Sequence, residues 1–265
     1  MAFDLDRKAV EQAETNGAEG ASSIRDLVDR PQPPRAVWIV VPHGEPTHET
    51  IVEVLEHLAP GDLIVDGGNT HYSDSLGHAE RCGQRGIAFL DIGMSGGVWG
   101  LEVGYCLMAG GPREAFDRIE PVLATLAPEQ GYALVGANGA GHFTKMVHNG
   151  VEYAMLQGIG EGFETLLRSD FEIDLRQVAD LWTHGSVVRS WLLELSAKAL
   201  GEEGNDLGAL APFIEESGTG RWTAEYALSR GISLPVITLA LYERFAHKVV
   251  AALRNQFGGH SVHRE

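Results

Sequence analysis

Short apolar runs alternate with amphipathic segments along the first half of the chain, and this alternation predicts strands separated by helices. The apolar runs predict strands over residues 1–5, 35–41, 63–66, 87–92, 105–109 and 132–135. Apolar residues spaced by three and four predict helices over residues 7–15, 22–29, 46–58, 73–85 and 112–126. Elements in this order predict a mainly parallel, doubly wound sheet with helices on both faces.

The second half of the chain has a different pattern, which is helical almost throughout. Helices are predicted over residues 141–169, 174–200, 221–230 and 235–256. The change of pattern predicts two domains: an α/β domain over residues 1–140 and an all-α domain over residues 141–265.

The composition narrows the class of protein without identifying a function. With 265 residues, 44% of them hydrophobic, the chain can bury the core of one or two globular domains. A net charge of −17 argues against a nucleic-acid partner. The two cysteines, Cys82 and Cys106, match no disulfide framework or metal pattern, which favours a reducing, cytoplasmic compartment.

Targeting to a membrane is not expected from the sequence. The charged residues Asp4, Asp6, Arg7 and Lys8 exclude a signal peptide in the first ten positions. The longest apolar runs, such as residues 234–242, are far shorter than a membrane span.

The candidate chemistry is concentrated at the start of the helical half, where Lys145, His148, Asn149 and Glu152 stand at positions i, i+3, i+4 and i+7. On a helix, these four side chains share one face. Such a stripe is usually a solvated surface, but the surrounding positions are apolar or glycine, which favours the wall of an active site. The histidines are scattered without convincing ligand partners, so no metal site is expected.

A dinucleotide-binding domain begins with a strand, a G-x-G-x-x-G loop and a helix, followed by an acidic residue ~20 positions further on. Asp4 follows a short apolar run and suits that acidic position, which leaves no room before it for the first strand and the loop. Residues 139–144 and 218–223 read G-x-G-x-x-Thr and are predicted to be turns before helices. The chain as written is therefore expected to bind a dinucleotide weakly, and a start codon further upstream is the alternative explanation.

Five segments carry the motifs of one enzyme family across essentially the whole chain: K-M-V-H-N-G-V-E-Y at 145–153, D-G-G-N at 66–69, S-G-G at 95–97, G-T-G-R-W-T at 218–223 and R-N-Q-F-G-G-H at 254–260. Together they resemble 6-phosphogluconate dehydrogenase in its short bacterial form. The first motif is the most specific, since related β-hydroxyacid dehydrogenases share its Lys and Asn but lack the Glu-Tyr pair. One departure is Ser217, which stands where the long form has a phosphate-binding lysine.

The resemblance implies a Rossmann-type cofactor domain followed by a helical substrate and dimerisation domain. It implies oxidation of 6-phosphogluconate at C3 and loss of carbon dioxide to give ribulose 5-phosphate, a reaction of the pentose phosphate pathway. Lys145 matches the family's base, which must be uncharged to accept the C3 hydroxyl proton. Glu152 matches the acid that protonates C1, and Asn149 and His148 can bind the substrate hydroxyls between them.

The same resemblance assigns the ends of the substrate. Ser95, Gly96 and Gly97 suit its carboxylate end, because small residues let backbone N–H groups approach an anion, although a plain turn is the alternative. The candidates for binding the phosphate and neighbouring hydroxyls are Asn69, Tyr153, Thr219, Arg244, Arg254 and His260. The family places the matching C-terminal Arg and His in the partner's site, which implies a homodimer whose tails are exchanged.

The cofactor implied is a nicotinamide dinucleotide. An acidic Asp4 favours NAD over NADP, because a carboxylate bonds a ribose 2′-hydroxyl and repels a 2′-phosphate, while the nearby Arg7 argues the other way. The residues expected to flank the cofactor are Val41, Pro42, His43, Gly44 and Asn69. Two other functions stay open: a hydroxyisobutyrate-type dehydrogenase, and a truncated, non-catalytic dimer that binds sugar phosphate.

Overall fold

The computed structural model describes residues 1–204, 218–243 and 248–258. The chain forms two compact units, one of Met1–Ser95 with Tyr105–Lys145, the other of Gly96–Gly104 with Met146–Glu265. The segment Gly96–Gly104 therefore belongs with the later helices, although it lies between two strands of the first unit. The domain boundary near residue 140 stays a prediction.

Within the described residues, the first unit contains one five-stranded sheet, in the order β1-β2-β3-β4-β5. Its strands are β1 Ala36–Ile39, β2 Leu63–Asp66, β3 Ala88–Ser95, β4 Cys106–Gly110 and β5 Tyr132–Gly136. Strand β3 pairs with β4 in the antiparallel direction, and the other neighbours are parallel. The prediction of a mainly parallel sheet is confirmed.

The described helices account for most of the remaining chain. They are α1 Arg7–Thr15, α2 Ile24–Asp29, α3 Glu45–His57, α4 Tyr72–Gly83, α5 Gly100–Val103, α6 Arg113–Leu126, α7 Ala140–Leu167, α8 Leu175–Thr183, α9 Trp191–Glu203, α10 Thr219–Ser229, α11 Pro235–Tyr242 and α12 Lys248–Gly258. A short 3-10 helix, Gly97–Trp99, precedes α5. No helix in the described ranges is both long and apolar enough to cross a membrane.

The alternation of side chains along the strands explains why both faces of the sheet are covered. Ile64 and Phe89 join one buried cluster with residues of α2, α3 and α4. Leu63, Val65 and Leu90 point the opposite way and pack with residues of α6. Successive residues of a strand face opposite sides, so two helix layers bury both sets and the doubly wound prediction is confirmed.

The second unit is helical where it is described, and its core lies against the later part of α7. Leu156 and Phe163 of α7 pack with Leu193 of α9 and Leu253 of α12, and all four are fully or almost fully buried. Helix α7 has 28 residues and is about 42 Å long at 1.5 Å per residue. The helix predicted over residues 141–169 is confirmed.

Two predicted elements were wrong: the strand over residues 1–5 and the single helix over residues 174–200. Residues 1–5 do not form a strand, because their pairing is limited to a single parallel bridge between Ala2 and Gly20. The predicted helix over residues 174–200 is divided into α8 and α9. Gly185 adopts a φ of 73°, which ends the helical path, and the Ser190 hydroxyl accepts a hydrogen bond from the Leu193 N–H at 3.3 Å, which starts the next helix.

The helix predicted over residues 235–256 is helical in both of its longer described parts. Helix α11 ends at Tyr242, and α12 begins at Lys248. Residues 244–247, which include the candidate Arg244, lie outside the described residues.

Candidate active site

Lys145 is buried against strand β3, with 8% of its surface exposed. A Cβ added at Gly93 would collide with the Lys145 Cβ and would lie 2.9 Å from the Gly141 carbonyl oxygen. Gly141 in turn packs on β3 and β4, since a Cβ there would lie 2.8 Å from the Gly110 nitrogen. These glycines let the first turns of α7 lie directly on the sheet, which fixes the backbone that carries Lys145.

The start of α7 is held by a buried carboxylate, Asp91, near the centre of β3. One oxygen accepts a hydrogen bond from the Gly139 N–H at 2.6 Å, and the other accepts one from the His142 N–H at 2.9 Å. Burial raises the pKa of the Asp91 carboxyl above its ordinary value, while His142 and both backbone N–H groups act in the opposite direction. The buried Ser75 hydroxyl lies 2.8 Å from His142 Nδ1 and fixes that ring as well.

Asn69 shapes the turn that leads from β2 toward the candidate substrate residues. Its backbone takes the left-handed conformation, with φ 53°. Its side-chain oxygen accepts from the Met94 N–H at 2.9 Å, and its Nδ2 donates to the Met94 carbonyl at 3.3 Å. The side-chain amide of Asn69 therefore pairs with the backbone of Met94, the residue immediately before Ser95, as a neighbouring strand would.

Asp66 ties the rest of the D-G-G-N turn together from a fully buried position. One carboxylate oxygen accepts from the Gly68 N–H at 2.9 Å, and the other accepts from the Thr70 hydroxyl at 2.8 Å. The acid in this motif has a structural role, because it satisfies polar groups that the tight turn leaves without strand partners.

Ser95 is the last residue of β3, and Gly96 and Gly97 form the turn that follows it. The two glycines have φ values of 142° and 55°, conformations that favour glycine. Two residues later the indole N–H of Trp99 donates to the Gln256 carbonyl of α12 at 2.8 Å. The predicted substrate turn thus starts a segment that is attached to the helical unit.

In the helical unit, Asn149 and Thr219 lie together as two predicted site residues. The Asn149 amide donates to the Thr219 hydroxyl at 2.9 Å, and His148 Nδ1 lies 3.1 Å from Asn149 Oδ1. Close packing of α7 and α10 produces this contact, since the Thr223 hydroxyl donates to the Met146 carbonyl at 2.8 Å. Glu152, one turn further along α7, is half-buried.

Tyr153 and Arg254 are also brought together in this unit. The Arg254 guanidinium lies 4.9 Å from the centre of the Tyr153 ring, and both residues are buried. Gly220 lets α10 approach the ring, because a Cβ there would lie 2.8 Å from its edge. This cation–π contact joins two candidate phosphate ligands of the same chain, whereas the resemblance implied that Arg254 lies in the partner's site. The other candidate, His260, and the position Ser217 lie outside the described residues, as Arg244 does.

The candidate cofactor residues occupy the carboxyl end of β1 and the loop before α3. Val41 is half-buried, whereas Pro42, His43 and Gly44 are exposed. Gly44 has φ 91° with open space around its Cβ position, and the first turn of α3 follows it. Asp4 is exposed and its carboxylate accepts from the Asp6 N–H at 2.7 Å.

Several residues that organise these groups were not identified from the sequence. Asp91, Gly93 and Trp99 act through contacts with residues far along the chain. A buried acid within the apolar run 87–92 was the available signal for Asp91, since such an acid needs hydrogen-bond partners. In the described part of the chain, no group of three His, Cys, Asp or Glu side chains is arranged to hold a metal ion.

Comparisons with known proteins place both halves of the chain in one family. Residues 1–136 match the model of the NAD binding domain of 6-phosphogluconate dehydrogenase, and residues 141–257 match the model of its C-terminal domain. The NAD(+)-dependent, decarboxylating 6-phosphogluconate dehydrogenase of Haloferax volcanii is 43% identical over 274 residues, which cover 100% of this chain and 91% of that protein.

Solved structures give the same result for the fold. The Plasmodium falciparum 6-phosphogluconate dehydrogenase superposes with a TM-score of 0.82 at 28% identity, covering 94% of this chain and 56% of that one. The Mycobacterium tuberculosis 3-hydroxyisobutyrate dehydrogenase superposes with a TM-score of 0.72 at 21% identity, covering 96% and 89%. The second likeness shows a shared fold alone.

Proposed function

The chain belongs to the 6-phosphogluconate dehydrogenase family, and from that premise we propose that it oxidises and decarboxylates 6-phosphogluconate to ribulose 5-phosphate. One observation carries the proposal: Lys145, Asn149 and Glu152 follow one another along a single face of α7, in the spacing of the family motif. The lysine in this stripe is buried and its backbone is fixed by glycine packing.

Lys145 is the base of the proposed reaction. Its amine takes the proton of the C3 hydroxyl while the hydrogen on C3 leaves as a hydride, for which bound NAD would be the acceptor. The resulting ammonium then stabilises the negative charge that develops on the C3 oxygen as carbon dioxide leaves. Positioning is essential to this role, since a misplacement of about 1 Å can cost 100-fold in rate. The contacts of Gly93 and Gly141 supply that positioning.

Glu152 is the acid that completes the reaction. It lies two turns after Lys145, about 10 Å along the helix, so long side chains can reach opposite ends of a three-carbon unit. It delivers a proton to C1 of the enediol left by decarboxylation, and Asn149 and His148 bind hydroxyls between the two groups. The bond from Asn149 to Thr219 holds the amide at a fixed orientation for this purpose.

The anionic ends of 6-phosphogluconate require local donors, because the chain carries a net charge of −17. We assign the carboxylate end to Ser95, Gly96 and Gly97, whose small side chains expose backbone N–H groups. We assign the phosphate to Tyr153 and Arg254, together with Arg244 and His260. A guanidinium suits phosphate because it presents paired N–H donors in one plane.

The cofactor assigned to residues 1–136 is NAD, which accepts a hydride when it is bound. The open, exposed loop Pro42–Gly44 at the carboxyl end of a parallel strand fits such a ligand, since dinucleotides bind outside the carboxyl ends of strands in this fold. The sequence contains no G-x-G-x-x-G segment, so this fit concerns the part of the cofactor near β1 and β2. The exposed Asp4 favours NAD over NADP through its negative charge.

A homodimer is the proposed assembly, in which the tail that carries His260 reaches the partner's site, whereas Arg254 lies against Tyr153 of its own chain. Helices α10 and α11 present large apolar side chains to solvent, including Leu228, Leu239 and Tyr242, which are 83%, 61% and 75% exposed. Apolar groups at this density favour burial against a second copy.

The test is steady-state turnover of 6-phosphogluconate with NAD, measured for the wild type and for Lys145→Met. The substitution removes the base and keeps an unbranched side chain of similar volume, so we expect a loss of at least about 100-fold in turnover, the usual contribution of a general base. Calorimetric binding of 6-phosphogluconate should change little.

Lys8→Met, the same change at an exposed lysine, is the matched control and should behave as the wild type. A wild type that turns over 3-hydroxyisobutyrate faster than 6-phosphogluconate, or that turns over neither substrate when NAD is saturating, would refute the proposed function. A Lys145→Met protein at near wild-type rate would remove Lys145 as the base.

A further inference from the structure

We infer that Trp99 is the positioning residue of the substrate turn, and that it makes the affinity for 6-phosphogluconate depend on α9 and the end of α12. The inference rests on the proposed function, in which Gly96 and Gly97 bind the substrate carboxylate. It concerns a residue outside the family motifs described above.

The segment Gly96–Gly104 has few means of holding its own conformation. It contains only a single 3-10 turn and the four-residue helix α5. Its large side chains Val98, Leu101 and Val103 are 57%, 89% and 59% exposed, so they contribute little packing. Trp99 differs from them, because it packs against the buried cluster of the helical unit.

Trp99 donates a hydrogen bond to a backbone carbonyl at the end of α12. The last four carbonyls of a helix have no partner within that helix, and Gln256 stands two residues before the end of α12 at Gly258. The indole N–H donates to the Gln256 carbonyl at 2.8 Å, a good length for such a bond. The turn is therefore tied to a fixed backbone atom rather than to a flexible side chain.

A second set of contacts connects the indole of Trp99 to α9 and back to α12. The Lys198 ammonium lies 4.4 Å from the centre of the Trp99 ring, and Lys198 pairs with Glu202 at 3.9 Å. Glu202 in turn accepts from the Gln256 side chain at 2.7 Å. The four residues link three elements in a closed cycle, through three side-chain contacts and the Gln256 backbone carbonyl, and this cycle restrains the indole.

Trp99 can affect substrate binding because it lies next to the proposed substrate turn in the sequence. Gly96 and Gly97 are separated from Trp99 by at most two residues. If the indole loses its hydrogen bond to Gln256, the backbone N–H groups proposed to bind the carboxylate become mobile. A mobile turn must be ordered when substrate binds, and that ordering weakens the affinity without changing the reacting groups.

The experiment compares the wild type with Trp99→Phe, which keeps an aromatic face for Lys198 but lacks the N–H donor. We expect amide hydrogen exchange in residues 97–104 to accelerate several-fold. We also expect the dissociation constant and KM for 6-phosphogluconate to rise by about 3- to 10-fold, the range for one neutral hydrogen bond. The KM for NAD and kcat should stay within about 2-fold of the wild-type values, since the substitution leaves the cofactor residues and the reacting groups unchanged.

Two further variants make the result specific. Lys198→Met removes the cation and keeps an unbranched side chain, and it should raise the 6-phosphogluconate KM by a smaller factor. Val98→Ala, at an exposed neighbour in the same segment, should change neither exchange nor KM.

Unchanged exchange in Trp99→Phe, or an equal rise in the KM for both substrates, would overturn the inference. A wild type without 6-phosphogluconate turnover at saturating NAD would refute the proposed function instead, and the exchange measurement would still show whether Trp99 holds the turn.

Discussion

The glycine at position 93 provides the most direct test of how the fold places Lys145. In Gly93→Ala, the new methyl group would collide with the Lys145 Cβ and would lie 2.9 Å from the Gly141 carbonyl oxygen and 3.1 Å from the Lys145 Cγ. The helix backbone fixes the Lys145 Cβ and the Gly141 oxygen, so a rotamer change cannot move these two atoms aside. The start of α7 must shift away from β3.

Overpacking of this kind costs about 1–3 kcal/mol in a well-packed interior. For a chain of this size, that loss lowers the unfolding temperature by roughly 2–12 °C. Because Lys145 would move with its backbone, we expect kcat to fall by about 100-fold, the cost of a 1 Å displacement of a catalytic group. Thermal unfolding followed by circular dichroism, together with steady-state kinetics, measures both effects.

Gly77→Ala is the matched control, because Gly77 lies in helix α4 with no atom within 4 Å of its Cβ position. Alanine is favoured over glycine by about 0.5–1 kcal/mol in a helix, so this variant should be as stable as the wild type or more stable. A Gly93→Ala protein with wild-type melting temperature and kcat would refute the argument that glycine packing positions Lys145.

Two further predictions concern buried groups outside the stripe. Thr223→Val removes the hydroxyl that donates to Met146 and should lower the unfolding free energy by about 1 kcal/mol, measured by urea denaturation; Thr165→Val, at an exposed site on α7, should change it by less than about 0.5 kcal/mol. A larger loss at Thr165 would contradict this reasoning. Burial lowers the pKa of His78, and the nearby His48 also lowers it while Asp66 raises it. His78 therefore binds a proton more tightly in the unfolded chain than in the folded protein. Its contribution to the free energy of unfolding is fully present above about pH 6.5 and is lost as the pH falls below that value. In His78→Gln, unfolding measured between pH 7 and pH 5 should depend less steeply on pH, and an unchanged slope would show that another group is responsible.

The candidate site was predictable where its residues follow one another along a helix. The spacing of Lys145, His148, Asn149 and Glu152 predicted a shared face, and the continuous helix α7 confirms the element on which it depends. The roles of these residues stay predictions, as do the contacts assigned to the phosphate and the expectation of weak NAD binding.

The turns were less predictable, for a physical reason that the second half of the chain illustrates. Residues 174–200 have apolar positions at helical spacing throughout, yet Gly185 and Ser190 divide them into two helices. Apolar periodicity shows which face can be buried, but packing against neighbouring helices decides whether the backbone continues through a glycine or reverses there.

The sequence by itself determined the fold class, the family and the order of the chemical groups, because strand and helix periods and local motifs depend on residues that are close along the chain. Only the tertiary structure decided which groups support them. The bond from Trp99 to Gln256 joins residues separated by 157 positions, and that from Asp91 to His142 spans 51. No local pattern encodes such pairs, since each forms only when the sheet and helices have packed and left a buried polar group that needs a partner.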